Sequence, residues 1–180
     1  SLLILLLMVP AGIAQTSYPM LMTLQPVAIQ VGTSADMVVK SRSSMWGANK
    51  VMVSGNGVTG EVVHPDPPES KEGEETPEPS LTSLTIKFTA RPDAQPGVRD
   101  FKLFTDRGVS TVGQIVITRD LVVWDDVSTD TMDGAKEFQV PSTLTGVFEK
   151  PEDLDYFKFK GQAGQRLAIH CRCMRLQDRI

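Results

Sequence analysis

The sequence predicts an all-β fold, with two small β-sandwich modules in series. Three observations carry this. Apolar residues alternate with a period of two in almost every hydrophobic segment, as in strands buried on one face. Gly, Pro, Asn and Asp punctuate these segments at intervals of about 8 to 12 residues, the spacing of sandwich strands. A polar stretch from Asp125 to Ala135, DDVSTDTMDGA, then divides the pattern, with about seven candidate strands before it and three or four after it.

Composition agrees with this and excludes several functions. Hydrophobic residues make up 41% and charged residues 22% of the 180 positions, a globular balance. Eighteen Lys and Arg stand against 22 Asp and Glu, a net charge of −4, so nucleic acid is not expected as a partner. Two Cys and two His are too few for a Cys-rich zinc module or a disulfide-dense scaffold.

Residues 1–14, SLLILLLMVPAGIA, carry no charge and an apolar run from Leu2 to Val9. That run is far short of the roughly 20 residues a spanning helix needs, and it suits the apolar region of a secretory signal peptide. Pro10 breaks the helix, and Gly12 and Ala14 supply small residues at −3 and −1, so cleavage is expected after Ala14. No membrane span is expected after cleavage. Because no basic segment precedes Ser1 and the chain stops on RLQDRI, a fragment of a longer protein is expected.

Residues 15–23 read as a spacer, and 24–120 as the first module. Leu84, Ile86 and Phe88 alternate with Thr85 and Lys87; Phe101 with Leu103, and Ile115 with Ile117, repeat the pattern. Gly55, Gly57 and Gly60 spell G-x-G-x-x-G, but the following Glu61-Val62-Val63-His64-Pro65 allows no helix to receive a pyrophosphate. Asn56-Gly57 reads instead as a hairpin turn. His64 to Ser80 contains five prolines, six acids and one lysine. Missing ladder donors and like-charge repulsion keep such a segment extended, and a long loop is preferred to a linker. Residues 121–135 read as the linker. Residues 136–180 read as the incomplete second module, with Phe157/Phe159 and Leu167/Ile169/Cys171 on strand faces.

No catalytic constellation stands out. G-x-S-x-G and H-E-x-x-H are absent from the sequence. His64 lies at the mouth of the acidic loop, and His170 is out of phase with Ile169 and so faces solvent or a neighbour. Cys171 and Cys173, C-x-C on one strand face, are either buried small hydrophobes or disulfide partners. Asp125, Asp126, Asp130 and Asp133, with Glu152, Asp153 and Asp155, place hard oxygen ligands in two loops, as calcium requires, though solvated turn acids are the commoner explanation. Trp46 beside Gly47 reads as the plug of a sandwich end.

Gly146-Val147-Phe148, Glu152-Asp153-Leu154-Asp155-Tyr156-Phe157-Lys158-Phe159 and Ala163-Gly164-Gln165-Arg166-Leu167 resemble the bacterial pre-peptidase C-terminal (PPC) domain. Asp130-Thr131 and Ala135 are similar to its lead-in. The resemblance implies a small jelly-roll-type sandwich attached to exported proteins. It also implies calcium as a cofactor, falling on Asp125, Asp126, Asp130, Asp153 and Asp155. Gln95-Pro96-Gly97-Val98-Arg99-Asp100-Phe101 and Thr105-Asp106-Arg107-Gly108-Val109-Ser110 resemble an immunoglobulin-like domain of the TIG sort. The order of modules resembles large exported bacterial proteins.

The expected function is a non-catalytic exported binding or spacer module, secreted, periplasmic or on the cell surface. Its expected partners are an extracellular protein or polysaccharide, or neighbouring domains of the same chain. The alternative is the accessory N-terminal region of an exported, peptidase-type hydrolase. No catalytic residue is expected here.

Overall fold

A computed structural model of the chain describes residues 18–64, 80–125, 130–148 and 150–172. The signal read at 1–14, the acidic stretch 65–79, Asp126 and Cys173 lie outside the described residues. Every regular element described is a strand. No helix among the described residues is long and apolar enough to cross a membrane.

The first nine strands are β1 (Leu21–Gln25), β2 (Ala28–Gln30), β3 (Ser34–Ser41), β4 (Lys50–Val53), β5 (Val58–Val63), β6 (Ser83–Ala90), β7 (Gly97–Thr105), β8 (Gly108–Val109) and β9 (Gly113–Thr118). They form two sheets, ordered β1-β3-β6-β5 and β2-β9-β7-β4, with β8 paired to β7. All pairings are antiparallel except β2 with β9. β1 opens ahead of Leu24, inside the stretch read as spacer, and is tied by Leu21 N–H donating to Thr111 Oγ1 at 2.8 Å.

Period-two alternation sets which side chains the sheets enclose. On β6, Leu84, Ile86, Phe88 and Ala90 are buried while Lys87 is exposed. Lys87 stands in register between Asp36 and Glu61, an opposite-charge row on the outer face. Met37 and Val39 from β3 and Phe101, Leu103, Ile115 and Ile117 from the facing sheet complete the core. Phe88 and Phe101 meet edge to face at 5.3 Å. The end of this core is filled by Met45, which is fully buried and donates its N–H to Leu81 O at 2.7 Å. Trp46, expected there, is only half-buried. Met45 therefore takes the enclosed position, where an unbranched thioether packs readily.

The three glycines of G-x-G-x-x-G have structural work. β4 and β5 belong to different sheets, so the turn at Asn56-Gly57 is an arch between sheets and not the expected hairpin. Gly57 has a φ of 86°, and a Cβ there would stand 2.9 Å from Ala94 Cα. The hairpin lies instead between β7 and β8, where Thr105 pairs with Gly108 around Asp106-Arg107.

Four further strands follow: β10 (Leu121–Trp124), β11 (Lys136–Phe138), β12 (Ser142–Thr145) and β13 (Phe157–Phe159). β10 pairs in parallel with β12, and β11 in parallel with β13, so the chain alternates between two ribbons. Leu121–Trp124, read as linker, is therefore a strand, because its backbone finds a ladder partner in β12. Phe138 packs at 6.5 Å from Phe157 and 5.5 Å from Phe159. The strand expected at Leu167, Ile169 and Cys171 is not formed: these residues are exposed, Ile169 by 86%. Alternation defines a face, but a strand also needs a paired neighbour, and no described strand pairs with this stretch.

Candidate functional site

Two places gather the residues singled out by the sequence. One is the junction after β9, the other the turn before β13.

At the junction only Arg119 and Asp120 separate β9 from β10. Gln30 Nε2 donates to Arg119 O at 3.1 Å. The Thr143 and Thr118 hydroxyls hydrogen-bond at 2.9 Å, joining β12 to the end of β9. Beyond it, Asp125 N–H donates to Thr145 O at 2.8 Å, and the Asp125 side chain lies against Gly146. Lys136 Nζ donates to the carbonyl of Trp124, and Lys136 N–H to Tyr156 O at 3.2 Å.

The turn is Lys150-Pro151-Glu152-Asp153. Pro151 occupies its second position, and Glu152 has a φ of 62° at its third. Asp153 N–H donates to Lys150 O at 3.3 Å, the pattern of a type II turn. This geometry sets the Lys150 and Asp153 side chains together. Lys150 Nζ is 3.7 Å from Asp153 Oδ1 and donates to Asp130 Oδ2 at 2.9 Å. The Asp130 carboxylate, with Asp153 beside it, holds the Lys150 ammonium above its ordinary pKa of 10.5. Nearby, Lys160 Nζ meets Glu137 Oε1 at 2.9 Å, tying β11 to the residue after β13.

Of the five acids the PPC resemblance assigns to calcium, the structure thus brings Asp130 and Asp153 together through a lysine. Asp125 stands at the end of β10, and Asp155 is half-buried ahead of β13. Among the described residues no group of three or more His, Cys, Asp or Glu side chains is placed to hold a metal ion. Reading acids alone missed Lys150 and Lys136. The K-P-E-D sequence carried the signal, since Pro at the second turn position brings the lysine back beside the aspartate.

The histidines fall elsewhere. His64 lines a shallow depression on the outer face of the first sheet with Val38, Val63, Ser83, Leu84 and Thr85. Among the described residues, that lining offers hydroxyls but no carboxylate to orient the imidazole, as a triad requires. His170 is exposed in a stretch without regular structure. Comparison with known proteins finds no matching family model, and no curated protein matches the chain.

Proposed function

We propose that this chain is a non-catalytic spacer or binding module of an exported bacterial multi-domain protein, an immunoglobulin-like sandwich followed by a PPC-like segment. The observation that carries the reading is the joint. Two residues connect β9 to β10, the Thr118–Thr143 hydrogen bond ties the two groups of strands across them, and Gln30 of β2 holds the carbonyl of the connecting Arg119. A joint so short and cross-tied keeps successive modules in a fixed relation, which is what a spacer has to do. The immunoglobulin-like part is supported by strand order. With β1 and β2 as the split first strand, β1-β3-β6-β5 and β2-β9-β7-β4 correspond to the A-B-E-D and A′-G-F-C sheets of that architecture. Export rests on the uncharged apolar run from Leu2 to Val9.

Small-angle scattering tests the joint. A single rigid shape is expected for residues 15–180, and a Gly-Ser insertion between Arg119 and Asp120 broadens the distance distribution. An unmodified chain as flexible as the insertion variant overturns the spacer reading. Turnover of peptide or ester substrates that disappears in His170→Ala overturns the non-catalytic reading.

A further inference from the structure

Asp130 and Asp153 belong to the set of acids that the PPC resemblance assigns to calcium, but the surroundings of this pair do not fit the ion. Asp153 is the most withdrawn of the charged side chains at the turn, 4% exposed, against 42% for Asp130 and 61% for Lys150. A carboxylate so enclosed requires a positive partner or hydrogen-bond donors. The type II turn supplies that partner locally, because Lys150 and Asp153 are its first and fourth residues. The same ammonium then reaches Asp130, 20 residues earlier in sequence. Calcium takes six to eight oxygens at about 2.3–2.6 Å. An ammonium 2.9 Å from one carboxylate oxygen and 3.7 Å from the other already stands in the space between these two ligands and repels a dication. Ahead of the lead-in, the backbone carbonyl of Trp124 accepts from a second lysine, Lys136.

We infer that Lys150 supplies from within the chain the positive charge that Asp130 and Asp153 would otherwise take from a divalent cation, so that the lead-in closes on the Asp turn without calcium. The resemblance supplies only the identity of the ion replaced; the lysine contacts stand on their own geometry. The charge swap carries a functional consequence: the segment keeps its closure where calcium is scarce, and calcium does not regulate it. Lys150 is a positioning residue in this account: its ammonium holds the two carboxylates together.

The test is a calcium titration of the full chain, followed through the backbone amide resonances of Asp130 and Asp153 and through thermal unfolding in calcium or EDTA. In the wild type, no resonance shift is expected up to about 1 mM calcium, the range that extracellular calcium modules bind, and the two melts coincide. Lys150→Met is expected to lose exchange protection at the Asp153 amide and to regain it with calcium. Lys150→Arg is expected to behave as wild type, since it keeps the charge. Saturable shifts at Asp130 and Asp153 in the wild type at or below that concentration overturn the inference. So does a Lys150→Met chain that keeps full protection and ignores calcium. If Lys150→Met does not fold at all, the wild-type titration decides alone.

Discussion

At Gly60 a Cβ would stand 2.7 Å from Val51 Cγ1 and 3.1 Å from Phe88 Cε1, so the absence of a side chain there lets β5 pack closely against β4 of the facing sheet. Gly60→Ala should overpack this contact and cost about 1–3 kcal/mol, read as a lower urea midpoint at unchanged slope. An unchanged midpoint would show that Val51 can move aside freely. Electrostatics at this scale act on a smaller stage. Lys160, hydrogen-bonded to Glu137, holds that carboxyl below its ordinary value of 4.5. A depressed carboxylate contributes stability that is present above 4.5, its unfolded value, and is lost as pH falls through the folded value. Both side chains are open to water, so the contribution to stability is small. The titration itself is the measurement. The Glu137 carboxyl carbon should show a midpoint below 4.5 by NMR, returning to about that value in Lys160→Met. A wild-type midpoint at or above 4.5 would mean the pair does not form in solution.

Two isoleucines show what an element adds to a pattern. Ile86 and Ile169 each occupy an alternating apolar position, yet Ile86 is fully buried on β6 while Ile169 is 86% exposed. The difference is the neighbour: β6 is paired on both sides, by β3 and β5, and its inner face meets a second sheet. Ile86→Ala should therefore cost about 2–5 kcal/mol, and Ile169→Ala should stay within about 0.5 kcal/mol. Chemical denaturation of both variants checks the contrast, and equal losses would place the 165–172 stretch in a packed strand after all.

For the whole molecule, the distribution of the core matters most. Among the described residues, every buried member of the hydrophobic core cluster lies between Leu24 and Ile117. Beyond it, Met132, Phe148, Leu154 and Leu167 are exposed, and the Phe138 cluster stands on one short parallel ribbon, β11 with β13. Local stability follows buried apolar contact, so the two groups of strands should open at different free energies. Native-state hydrogen exchange is expected to show β3, β6 and β7 exchanging only by global unfolding, with β11 and β13 exchanging through a smaller opening. A single uniform exchange free energy from β1 to β13 would show that the clasp at Thr118 and Thr143 couples them into one cooperative unit.

The sequence by itself determined the all-β class and the inward faces of β6, β7 and β9, because period-two burial is a property of consecutive residues. It also determined that Gly55, Gly57 and Gly60 form no nucleotide site, since the residues that follow decide that locally. Tertiary structure alone decided which strands are neighbours. It turned the Asn56-Gly57 turn into an arch, chose Met45 over Trp46 as the plug, made 121–124 a strand and left Ile169 exposed. It likewise brought Asp130 to Lys150, which the local turn had already set beside Asp153. Partners distant in sequence are selected by the free energy of packing and pairing them, and no local pattern encodes that.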